Sequence, residues 1–138
     1  MNPGSLGIGL LGLGNVGGGV AQALVGNREL LSEKAGIDLA LRKVLVRDIH
    51  KPRIVDLDSN LLTTNWLDVI DDPTVDVVVE LIGGEIPAKQ YIQESLSKFK
   101  HVVTANKEVI AKHGQELLAC AQDARVNLLF ELFARTLE

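Results

Sequence analysis

Gly12-Leu13-Gly14-Asn15-Val16-Gly17 stands between an apolar run, Leu6 to Leu11, and a stretch where Val16, Val20, Ala23, Leu24, Leu30 and Leu31 recur at helical spacing. Few folds admit that order, because a buried strand must turn at once into a helix. Each glycine of the G-x-G-x-x-G pattern answers a separate steric demand. The first allows the tight turn, the second lets backbone approach a pyrophosphate, and the third lets helix and strand pack closely. The helix start then offers N–H groups and the positive end of a dipole to the phosphates. A glycine turn without ligand is the competing reading, and the strand-before, helix-after context weighs against it. Gly18 and Gly19 lengthen the run and lower helix propensity, for which close contact with a ligand or the sheet is one reason.

The alternation continues along the chain. The first helix is expected over 15–33 or slightly beyond, closed by Gly36. A second strand spans 39–46, and a loop opens at Lys51-Pro52-Arg53 and runs to about Asn60. A short third strand at 61–63 precedes a small helix at 66–70. The strongest strand, 75–82, starts from an Asp-Asp-Pro turn and stops at Gly83-Gly84. Helix 87–99 carries a proline near its first turn, where the missing N–H costs little. Strand 102–104, helix 107–123 and strand 126–130 complete the pattern. It predicts an α/β fold, a doubly wound parallel sheet of Rossmann type in one domain, with right-handed crossovers and strand order 3-2-1-4-5-6. The 138 residues suffice for one core, and with aromatics at only 4% that core must be aliphatic.

Composition narrows the function. A net charge of −4 gives no general attraction to nucleic acid or to an anionic membrane, although Arg42, Lys43, Arg47, Lys51 and Arg53 crowd into one short span. No run approaches the ~18 apolar residues of a membrane span. Cys120 is the lone cysteine, so an internal disulfide is ruled out and a reducing cytoplasm fits; its apolar neighbours predict a buried, inert thiol. His50, His101 and His113 lack metal-ligand spacing, and neither a G-x-S-x-G nor a Walker A pattern occurs. Asp71-Asp72 before Pro73 reads as turn chemistry.

The end of the second strand bears on the nucleotide. An acidic residue there accepts hydrogen bonds from a ribose 2′-OH, whereas an arginine binds a 2′-phosphate. Arg47-Asp48 supplies both signals. Arg47, with Lys51 or Arg53 nearby, favours NADP provided Asp48 is turned away, with NAD the alternative.

Four segments, GLLGLGNVG at 9–17, VLVRDIHKPR at 44–53, VVVELIGG at 77–84 and HVVTANKE at 101–108, together resemble the nucleotide-binding domain of homoserine dehydrogenase over 6–131. The resemblance implies NAD(P)-dependent interconversion of aspartate 4-semialdehyde and homoserine, on the route to threonine, methionine and isoleucine. It implies cofactor contacts from Gly12, Leu13, Gly14, Asn15, Val16 and Gly17, from Arg47 at the adenosine ribose, and from Ile82, Gly83, Thr104 and Lys107 along the nicotinamide half. Lys107 would be catalytic, donating to a developing alkoxide; a structural cation bonded to the cofactor or to Glu80 is the alternative. Glu131 matches a family glutamate beside a monovalent-cation site, usually sodium. Residues 132–138 depart from the family pattern, so an intact cation site is not expected and a truncation point or non-native tail is. The domain is accordingly placed at 1–131, with the substrate and dimerisation domain absent and the parent enzyme a homo-oligomer. Such a piece would bind NADP(H) weakly without turnover. A non-catalytic nucleotide-sensing domain, or a dehydrogenase of another small carbonyl substrate, are the rival readings.

Overall fold

The computed structural model describes residues 4–53 and 56–130. Six strands form one parallel sheet in the order β3-β2-β1-β4-β5-β6, as the alternation of elements predicts. They are β1 (Ser5–Leu11), β2 (Asp38–Leu45), β3 (Leu62–Thr63), β4 (Val77–Glu80), β5 (His101–Thr104) and β6 (Leu128–Phe130). The helices among the described residues are α1 (Asn15–Gly26), α2 (Arg28–Ala35), α3 (Leu67–Ile70), α4 (Ala88–Ser97) and α5 (Lys107–Ala124), with a 3-10 turn at Ser59–Leu61.

The aliphatic core divides between the two faces of the sheet, because neighbouring residues on a strand point oppositely. Ile8 and Leu10 of β1 pack with Ala21, Leu24, Val44 and Val46 under α1. Leu11 joins Val69, Val78, Ile92, Val102 and Leu117 under α3, α4 and α5.

Several boundaries differ from the sequence reading. The helix expected over 15–33 is two helices, broken at Asn27, where φ −120° and ψ 30° are not helical. Gly26-Asn27 pairs two residues of low helix propensity, while the apolar spacing runs on through Leu30 and Leu31 and hides the break. Gly36 closes α2 in the left-handed conformation, its N–H donating to the carbonyls of Ser32 and Glu33. Strand β4 is shorter than 75–82, because its neighbour β5 pairs with it only from Val77 to Glu80. Helix α4 is shorter than 87–99, with Pro87 as its N-cap and Lys98 as its C-cap. Cys120 is half-buried against the core, with Gln93 Nε2 3.9 Å from its Sγ.

Candidate nucleotide-binding crevice

Register decides what meets at the carboxyl edge of the sheet. Leu11 pairs with Leu45 on one side and with Glu80 on the other, and Glu80 pairs with Thr104. The segments that leave these strands therefore emerge side by side: the glycine turn, Val46 to Asp48, Leu81 to Gly84, and Ala105 to Lys107. Strand order reverses between β1 and β4, the point where open α/β sheets leave a crevice for a ligand.

Gly12 leaves β1 at φ +111°, a conformation that L side chains rarely adopt, and its N–H donates to the Leu45 carbonyl at 3.1 Å. A Cβ at Gly17 would lie 2.4 Å from the Gly12 carbonyl oxygen, so the third glycine is required by the close approach of α1 to the turn. At Gly14, by contrast, a Cβ would meet nothing within 4 Å. Gly14 is also the N-cap of α1, without a side-chain cap and without an acidic residue in the first turn. Among the described residues no side chain caps the start of α1, and space is open at Gly14, the arrangement that suits an anion. Leu13 is half-buried and Val16 is 64% exposed on the same turn.

At the end of β2 the charges separate. The Asp48 carboxylate accepts from the His50 N–H at 2.9 Å, and so caps its own turn. The Arg53 guanidinium donates to the carbonyls of Asp48, Ile49 and Lys51 and holds the loop. Lys43 Nζ reaches the Asn60 carbonyl, and Arg42 reaches Ser5 Oγ. No hydrogen bond or ion pair ties the exposed side chains of Arg47 and Lys51 to the other described residues. Ile49, Lys51, Arg53, Asp56, Leu57 and Leu62 line a cleft of about 330 Å³ after this turn.

The other wall is built on a buried carboxylate. Glu80, 1% exposed, accepts from the N–H groups of Ile82 (2.9 Å) and Gly83 (3.0 Å) and from the Thr104 hydroxyl. Thr104 Oγ1 accepts in turn from the Asn106 N–H at 3.0 Å. The Asn106 side chain donates to the Gly84 carbonyl (2.6 Å) and accepts from the Val109 N–H (3.1 Å), which caps α5. Sequence reasoning treated Glu80 only as a partner for Lys107 and passed over Asn106. The available signal was a carboxylate closing an apolar strand directly before two glycines.

The segment after β4 lies against the glycine turn, where a Cβ on Gly12 would touch the Leu81 carbonyl at 3.2 Å and the Ile82 nitrogen at 3.4 Å, while Thr104 and Lys107 follow one strand further along the same edge. Thr104 is 2% exposed with its hydroxyl engaged on Glu80, so its backbone is what it can present to a ligand. Lys107 opens α5 and is exposed. Next to Gly84, the Glu85 carboxylate is held below its ordinary range by hydrogen bonds from His113 and then from Lys112, both on α5. Glu131 lies outside the described residues. Among the described residues, no His, Cys, Asp and Glu gather in threes as a metal site would need, and no helix is long and apolar enough to cross a membrane.

The same glycine turn and both strand-end segments fall inside a family match. The family model described as "Homoserine dehydrogenase, NAD binding domain" matches residues 12–131. The chain belongs to the homoserine dehydrogenase family. It is 48% identical over 124 residues to the homoserine dehydrogenase of Bacillus subtilis, covering 90% of this chain and 29% of that protein. The Synechocystis homoserine dehydrogenase is 41% identical over 127 residues, covering 90% of this chain and 28% of its own length. The crystal structure of a homoserine dehydrogenase from Thiobacillus denitrificans superposes with a TM-score of 0.83 at 44% identity, over 92% of this chain and 29% of that one. The chain thus spans under a third of the length of these homoserine dehydrogenases and corresponds to their NAD-binding part.

Proposed function

We propose that residues 1–131 are the cofactor domain of an enzyme interconverting aspartate 4-semialdehyde and homoserine, and that the crevice takes NADP(H) in preference to NAD(H). The uncapped first turn of α1 over Gly14, beside open space, carries this reading. The residues present fit such a cofactor. The backbone of Gly12, Leu13, Gly14, Asn15, Val16 and Gly17 surrounds the pyrophosphate, where N–H groups and dipole favour negative charge. Arg47, joined by Lys51, binds the 2′-phosphate through charge-assisted hydrogen bonds. Asp48 has one carboxylate oxygen engaged on the His50 N–H of its own turn, which orients it and weakens its claim on a free ribose hydroxyl. Ile49, Leu57 and Leu62 supply apolar surface for the adenosine.

Ile82, Gly83, the backbone of Thr104, and Lys107 bound the nicotinamide half. When bound, the nicotinamide supplies or accepts the hydride. Lys107 holds a proton toward the oxygen that gains charge as a carbonyl is reduced, and lowers the energy of the developing alkoxide. Substrate binding, dimerisation and completion of the sodium site that Glu131 would join fall to the remainder of an enzyme of this family. Residues 132–138 stand outside the cofactor domain. A reducing cytoplasm suits the single thiol.

Titrating NADPH and NADH into the 138-residue chain, with and without Arg47→Ala, tests the reading. Lost charged hydrogen bonds predict that Arg47→Ala weakens NADPH roughly 10- to 100-fold and NADH little. No advantage of NADPH, or an advantage that survives the substitution, refutes the role of Arg47. Homoserine oxidation by this chain alone would refute the division of labour.

A further inference from the structure

The buried carboxylate of Glu80 has no part in the chemistry above, yet it accepts three hydrogen bonds while 1% exposed. A carboxylate is kept out of water only where donors meet it. Here the donors come from two separate segments. Ile82 and Gly83 belong to the loop after β4, and Thr104 closes β5. Thr104 passes the linkage to the Asn106 N–H, and the Asn106 side chain returns it to the Gly84 carbonyl while capping α5. The chain of bonds leaves the 82–84 segment and comes back to it.

We propose that Glu80 is a positioning residue for the nicotinamide half of the cofactor. It fixes the backbone of Ile82 and Gly83 against the start of α5, so that both walls of the crevice keep one spacing relative to Lys107. The inference rests on the cofactor site proposed above. A role confined to general folding would affect every ligand alike. A positioning role affects only ligands that carry the nicotinamide, because Glu80 is bonded to neither the glycine turn nor the Arg47 loop.

The test uses the full chain with two ligands, NADPH and 2′-phospho-ADP-ribose, which lacks the nicotinamide. Glu80→Ala is expected to weaken NADPH about tenfold or more and to leave 2′-phospho-ADP-ribose within roughly twofold of wild type. Glu80→Gln accepts both backbone N–H groups through Oε1 and donates to Thr104 through Nε2, and is expected to restore NADPH binding to within about threefold. If Glu80→Ala does not fold, Asn106→Ala carries the same test. It opens the link between the two segments without touching Glu80, and roughly a three- to tenfold loss confined to NADPH is expected. Equal weakening of both ligands, or NADPH binding unchanged in Glu80→Ala and Asn106→Ala, overturns the proposal. A wild-type chain that binds neither ligand overturns the cofactor reading itself, and this inference with it.

Discussion

Substituting Gly17 by alanine tests whether α1 sits against the glycine turn as tightly as the structure shows. The added Cβ would lie 2.4 Å from the Gly12 carbonyl oxygen, inside the 3.0 Å below which real Cβ contacts are essentially not found. Helix or turn must move by at least ~0.6 Å. Neither yields freely. The turn is held by the Gly12 N–H on the Leu45 carbonyl, and α1 by Ala21 and Leu24 in the core. Overpacking of this kind costs about 1–3 kcal/mol, against which alanine returns at most ~1 kcal/mol of helix propensity. The net is a loss of up to about 2 kcal/mol. Gly19, two residues along the same helix, has nothing within 4 Å of its would-be Cβ. There the propensity acts alone, and Gly19→Ala stabilises by about 0.4–1 kcal/mol. Urea unfolding followed by the fluorescence of Trp66, the single tryptophan, stacked on Tyr91, reads both variants. With a urea slope near 2 kcal/mol/M, the midpoint falls by up to roughly 1 M for Gly17→Ala and rises by roughly 0.2–0.5 M for Gly19→Ala. A Gly17→Ala midpoint at or above wild type would refute the close approach.

Gly14→Ala separates binding from folding. Its Cβ enters open space, so stability falls by no more than about 1 kcal/mol for the poorer N-cap, while NADPH affinity measured by fluorescence titration falls at least about tenfold. Lys100 Nζ donates to the carbonyls of Asp72 and Val75 at 2.7 Å each, so Lys100→Met leaves both acceptors unmet and costs about 1–3 kcal/mol in the same urea assay. The Glu85 carboxyl should titrate below 4.5 by NMR and move up toward it in His113→Gln. A carboxyl lowered in the folded state stabilises fully above the unfolded value and loses that contribution as pH falls through the folded one. The benefit of the His113 contact is therefore present at neutral pH and is lost as pH falls below the ordinary glutamate range, through the lowered folded value.

Strand order and the glycine turn were legible because both follow from backbone demands that apolar patterning and glycine placement display directly. The break at Gly26-Asn27 was not, since Leu30 and Leu31 continue the helical spacing across it. At the crevice, positions 12–17, 47, 82–83, 104 and 107 all follow or end strands at the carboxyl edge of the sheet. Which charges face outward was hidden. Arg47, Lys51 and Arg53 look alike in sequence, yet Arg53 spends its guanidinium on loop carbonyls. Asp48 looks like a ribose ligand until its carboxylate is seen on the His50 N–H. Glu80 reads as a strand-ending polar residue, and only the register that sets it opposite Thr104 turns it inward.

The bonds running from Glu80 through Thr104 and Asn106 to Gly84 also bear on the heat of binding. A loop that is loose before a ligand arrives orders upon contact, which adds an unfavourable entropy and a heat-capacity change larger than the buried area accounts for. The 82–84 segment is tied at Ile82, Gly83 and Gly84 by hydrogen bonds to the protein's own side chains. A ligand laid along it therefore finds a surface already set. Calorimetry across temperature would register there the signature of surface burial, with no added term for a segment that folds as it binds.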